Sequence, residues 1–211
     1  MKELLADTFI TASCTISNNA VYKNEKLIFQ ASDVLLQDFL VSLYRNFEIK
    51  YPKFFKMDNL SRLGWLASEI LLKDSFSAGK YKAGEVGIVL ANASSSLDTD
   101  IKYYETAKDI ASPALFVYTL PNIVMGEICI RQGFKGENAF FIFNVFDAGF
   151  IEEYVKNLMN DNILQCCICG WVELLNDQYK AVLFLIEKER GEKDTLFTKE
   201  NLNKIYQLDN G

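Results

Sequence analysis

The chain has 211 residues, half of them hydrophobic, with sixteen Phe and ten Tyr, which is enough for one substantial core and too aromatic for disorder. A net charge of −6 argues against a surface that tracks phosphates, and so against nucleic acid; it also weakens a direct contact with an acidic carrier protein. Histidine is absent, which excludes His-based acid–base catalysis, Ser-His or Cys-His nucleophile activation and His metal ligation.

In chain order, the alternating, β-prone run at 8–16 predicts a first strand ending at Ser17-Asn-Asn, with a short second strand at 27–29. Ser32 or Asp33 can cap a helix over 34–48, whose Leu36, Phe39, Leu40, Leu43 and Phe47 share one face. Tyr51-Pro52 stops it. Asp58 or Asn59 is placed to cap an apolar helix over 63–72. A polar connection follows, then a buried strand over 86–91 and the loop 92–96. The segment 98–110 reads as a helix, with Asp98, Asp100, Glu152 and Glu153 taken as solvated surface. Ser112-Pro113 reads as an extended lead into a second apolar helix, begun by Pro121 and ended by Gly133. Gly136 marks a turn into the apolar strand 139–146, expected to be buried on both faces. After Asp147, a predicted cap, come a helix over 148–159, strands over 163–171 and 181–187, and a polar tail at 189–211, read as a charged loop over 188–195 and as fraying over 198–211. Strands alternating with helices predict an α/β layered sandwich.

Three of the five cysteines, Cys166, Cys167 and Cys169, lie on one strand, where alternation sends Cys166 and Cys167 to opposite faces. With no second Cys pair and no His, a metal site is not expected, and no cofactor pattern is present. Ser94-Ser95-Ser96 lacks the glycines of a phosphate loop or nucleophile elbow and reads as a loop. The odd cysteine count fits a reducing cytoplasm. Neither a signal peptide nor a membrane span is expected.

Several segments, in order, resemble the N-terminal half of β-ketoacyl synthases. These are Phe9-Ile-Thr-Ala-Ser-Cys-Thr-Ile-Ser17, Met57-Asp-Asn-Leu-Ser-Arg-Leu63, Val86-Gly-Ile-Val-Leu-Ala91 with Ser94-Ser-Ser-Leu97, Ser112-Pro-Ala-Leu-Phe116 through Leu120-Pro-Asn122, 126–136, and Gly170-Trp-Val-Glu173. The resemblance covers about 8–188 and implies a thiolase-like α-β-α sandwich, N-terminal half only, with a mixed five-stranded sheet flanked by helices. It also places the family's catalytic cysteine near Val145, between Asn144 and Phe146, where no side chain can form a thiolate. The family's histidines belong to a C-terminal half that this sequence does not contain. The resemblance is to the short, degenerate members called chain-length factors, which implies a non-catalytic subunit of fatty-acid or polyketide-type synthesis, found with aryl polyene or flexirubin pigment clusters.

The implied partner is an active ketosynthase, or a second copy of this chain, joined along the strand that begins at Ala139. An acyl carrier protein would be reached through that partner. Thr119, Asn122, Met125 and Gly126, with Phe140, Phe141 and Phe143, are the candidate pocket and interface residues, and Asn144, Val145 and Phe146 are expected to plug the former nucleophile site. Two alternatives stay open: a self-associating scaffold or acyl-binding protein with no ketosynthase partner, and an enzyme with repurposed chemistry on Asp147 or a serine.

Overall fold

The structure, a computed structural model, describes residues 7–32, 34–189, 191 and 194–208. Its strands are β1 (Phe9–Ser17), β2 (Ala20–Lys23), β3 (Lys26–Gln30), β4 (Val86–Asn92), β5 (Asn138–Ile142), β6 (Cys166–Leu175), β7 (Gln178–Glu187) and β8 (Thr195–Leu196). The helices are α1 (Leu36–Asn46), α2 (Asn59–Leu72), α3 (Leu97–Ala107), α4 (Pro113–Phe116), α5 (Ile123–Gln132), α6 (Ala148–Asn160) and α7 (Lys199–Tyr206).

Five of the six strands read from the sequence, β1, β4, β5, β6 and β7, form the middle and one edge of a mixed sheet ordered β3-β2-β1-β7-β6-β4-β5, and the sixth, at 27–29, falls within β3. The β2–β3 hairpin extends the other edge, and β8 pairs with Phe9 and Ile10 of β1, giving eight strands rather than five. β4 runs parallel to both β5 and β6; the other pairings are antiparallel. Helices α1, α2 and α5 cover one face over a core that includes Phe39, Trp65, Leu66 and Ile128. Helices α6 and α7 cover the other, over Ile151, Val155, Phe184 and Leu202. The layered α-β-α sandwich is thus as expected.

Local chemistry explains most boundaries. Asp58 caps α2 by accepting from Ser61 N at 2.9 Å. Gly133 ends α5 at φ 76°, a left-handed conformation that costs glycine little. Gly170, at φ 146°, lets β6 pass so close to β7 that an added Cβ would sit 2.0 Å from Val182 O. Strand alternation places Cys166 on the α2 side and Cys167 and Cys169 on the α6 side.

Several expectations are corrected. Helix α1 starts at Leu36, and the residue before it, Leu35, makes no side-chain cap; Ser32 does not serve and Asp33 lies outside the described residues. Ser112 does not lead an extended stretch but caps the short helix α4, accepting from Leu115 N at 3.3 Å. Asp98 is buried, not solvated, because it accepts from Asn176 N at 3.1 Å and pairs with Lys102 at 2.6 Å. The supposedly fraying tail carries α7, capped by Thr198 and anchored by buried Phe197, Leu202 and Ile205. β5 ends at Ile142, and it is not buried on both faces: Ala139, Phe140 and Phe141 are half-buried and Asn138 and Ile142 exposed, because it is the last strand of the sheet.

Among the described residues, no single helix is long and apolar enough to cross a membrane. No group of three or more His, Cys, Asp or Glu among them could hold a metal ion.

Candidate functional site

The chain leaves the C-terminal end of β5 through residues 143–147 and enters α6. Two bonds fix this turn: Phe143 N donates to Asn92 O at 2.9 Å, and Asp147 Oδ1 accepts from Phe150 N at 2.9 Å, making the predicted cap. Phe146 is only 9% exposed and lies among Trp171, Phe184 and Tyr206, stacked on Tyr206 with ring centroids 4.4 Å apart. Val145 is 72% exposed, and Asn144 is exposed beside it. The three residues therefore do not act as one plug. The large ring of Phe146 turns into the core, where burial is worth most, and Val145 and Asn144 are left on the surface.

Val145 borders a cleft of about 550 Å³ whose other walls include Trp171, Glu173, Lys180 and, from α7, Tyr206. Glu173 Oε2 accepts from Ala93 N at 2.6 Å and Ser94 N at 3.2 Å, so the end of β6 grips the loop after β4. That loop is tightened by Asn92, whose Oδ1 accepts from Ser95 N at 3.0 Å. Ser96 Oγ donates to Thr119 O at 2.7 Å. This places Thr119 beside the loop and not in a pocket with the other candidates.

Alternation along β5 divides the remaining candidates. On the α5 side, Asn122, Met125, Gly126 and Phe140 come together around an open cleft of about 490 Å³. A Cβ added at Gly126 would meet nothing within 4 Å. On the α6 side, Phe141 and Phe143 join Phe150 and Tyr154 in a half-buried aromatic cluster with centroids 4.7–5.9 Å apart.

No cysteine lies in the turn. Cys14, Cys166, Cys167 and Cys169 are buried, and burial pushes their thiols up, Cys14 to about 12. Cys129 on α5 is half-buried and also raised by burial, with Asn138 Nδ2 3.5 Å from its sulfur. None has the electropositive, exposed setting of a reactive thiolate.

No family model matches the sequence, and no curated protein matches it significantly. Solved structures do. The ishigamide ketosynthase/chain length factor superposes with a TM-score of 0.63 at 16% identity, covering 89% of this chain and 63% of that one. The chain has the ketosynthase fold. A β-ketoacyl synthase from Burkholderia phymatum STM815 gives a TM-score of 0.58 at 13% identity, covering 87% of this chain and 59% of that one. A complex of a ketosynthase with its chain length factor from Xenorhabdus doucetiae gives 0.54 at 12% identity, covering 90% and 81%. The chain thus spans less than two thirds of the first of these structures.

Two residues that shape this end of the sheet, Tyr206 against the turn and Glu173 against the loop after β4, escape a sequence reading. Tyr206 lies in a segment whose composition is polar, although Phe197, Leu202 and Ile205 at near-helical spacing could have signalled a packed helix. Glu173 carries no local signal, since its partners are eighty residues away in the chain.

Proposed function

We propose that this chain is a non-catalytic ketosynthase-like subunit, a chain-length factor, that pairs along β5 with an active, cysteine-bearing β-ketoacyl synthase. The observation that carries the reading is the turn at the end of β5: a ketosynthase fold that presents an exposed Val145 where the resemblance requires a thiolate. A hydrocarbon side chain cannot attack a thioester. Asp147 is committed to capping α6, which leaves it poorly suited to replace the nucleophile.

β5 supports the choice of surface. It bonds to β4 alone, and its other edge has no strand partner among the described residues. Its sequence, Asn138-Ala-Phe-Phe-Ile142, contains no charge, and Ile142 is 49% exposed. An uncharged, aromatic edge strand invites pairing or aggregation, so an obligate partner strand is the natural cover. The cleft around Asn122, Met125, Gly126 and Phe140 opens at this edge. A partner would close it into a pocket for the growing acyl or polyene chain, in aryl polyene or flexirubin-type pigment synthesis. Loaded carrier protein would dock on the partner, since this chain is itself acidic.

The test is co-expression with an active, cysteine-bearing β-ketoacyl synthase from the same genome. A heterodimer should form, Ile142→Lys should weaken it at least tenfold in analytical ultracentrifugation, and product length should change when this chain is withheld. Failure of the pair to form, together with unchanged products, refutes the assignment. A stable homodimer that persists in the presence of the ketosynthase would instead favour a self-associating scaffold, because the same edge can pair with its own copy.

A further inference from the structure

At the opposite end of β4 from the turn, α1, α2 and α5 leave a groove of about 640 Å³. We infer that it binds an anionic amphiphile, with an apolar tail along its floor and a carboxylate-like head at its lysine rim. The inference does not depend on the proposed partner.

The floor is apolar: Phe47, Ile49, Phe76 and Tyr81 pack on the core but keep part of their surface toward the groove, above buried Phe134. Its volume falls within the roughly 300–1,000 Å³ of small-molecule sites.

The walls are held from outside, so the groove is preformed rather than a gap that side chains would close. The 73–85 connection is clamped by Glu187, buried at the end of β7, which accepts from Tyr81 Oη at 2.6 Å and from Lys80 Nζ at 2.8 Å. The opposite wall turns sharply after α1, with Glu48 at φ 53° and Tyr51 N donating to Tyr44 Oη at 2.7 Å.

The charges at the rim do not cancel. Glu69 is satisfied by Arg131 at 3.3 Å and by Gln132. That leaves Lys50 and Lys73 against Glu48 alone. Neither lysine makes an ion pair with a carboxylate among the described residues; Lys73 Nζ only approaches the Phe47 ring, at 5.9 Å. On a chain of net charge −6, a cationic rim above an aromatic floor selects a negative head and repels a positive one.

Isothermal titration of the full chain with dodecanoate and with dodecyltrimethylammonium, which share a tail and differ in head charge, tests this. Dodecanoate should bind one to one, and the cation at least tenfold more weakly. Lys50→Glu with Lys73→Glu should weaken dodecanoate by about tenfold, an effect that fades with added salt. Ala78→Trp, at an exposed position on the wall, should abolish binding while the melting midpoint stays put. Absence of dodecanoate binding, equal affinity for both heads, or retained binding in Ala78→Trp overturns the inference. Because the chain is titrated alone, failure here leaves heterodimer formation standing, and failure of the heterodimer leaves this result standing.

Discussion

Truncating Phe146 distinguishes a turn that is part of the core from one that merely occupies a vacated site. The side chain is 9% exposed and touches rings from β6, β7 and α7. Phe146→Ala removes about 1.5–3 kcal/mol of transfer free energy and leaves a cavity that three large rings cannot collapse to fill. The total is about 3–5 kcal/mol. At about 2–4 °C per kcal/mol for a chain of this size, even the lower figure moves the melting midpoint down by roughly 6–12 °C. Val145→Ala, one residue earlier and 72% exposed, should stay within about 0.5 kcal/mol. Urea denaturation followed by tryptophan fluorescence measures both, and Trp171 reports directly because it lies 6.1 Å from Phe146. A loss below about 1 kcal/mol in Phe146→Ala, or an equal loss in Val145→Ala, would refute the argument that the turn is held by its phenylalanine.

Glu187 should govern part of the acid limb of stability. Burial pushes its carboxyl up, but bonds from Lys80, Thr11 and Tyr81 outweigh that and leave it below its ordinary 4.5. A depressed folded value contributes stability above about pH 4.5 that is lost as pH falls through the folded value; Glu187→Gln should lower stability at neutral pH and reduce the difference from wild type in acid, read from denaturation at pH 3 to 7. A disulfide-exchange reagent at pH 7 should label Cys129 slowly and the other four cysteines only on unfolding; rapid labelling of several thiols would contradict their burial. Gly170→Ala should cost at least about 2 kcal/mol, because it combines an unfavourable φ with a clash against Val182 O, whereas an unchanged midpoint would mean that β6 and β7 can separate freely.

Local patterns in the sequence are enough for the layered α/β class, the five principal strands, the caps at Gly133 and Asp147, the choice of Asp58 or Asn59 at the start of α2, and the opposite facing of Cys166 and Cys167, while the Ser61 N contact picks Asp58. These follow from residue-to-residue rules: periodicity, capping and strand alternation act over a few neighbours. The sequence also excluded histidine chemistry outright. What stood around Val145 was decided only by tertiary contacts. Whether β5 was an edge or a central strand depended on strand order, which no local pattern encodes, since an apolar run reads alike in both places. Burial of Phe146 beside an exposed Val145 required Trp171, Phe184 and Tyr206 to arrive from three distant elements. Likewise the candidates Asn122, Met125, Gly126 and Phe140 met at one cleft, while Phe141 and Phe143 went to the opposite face, because the pleat of a five-residue strand sent its neighbours apart.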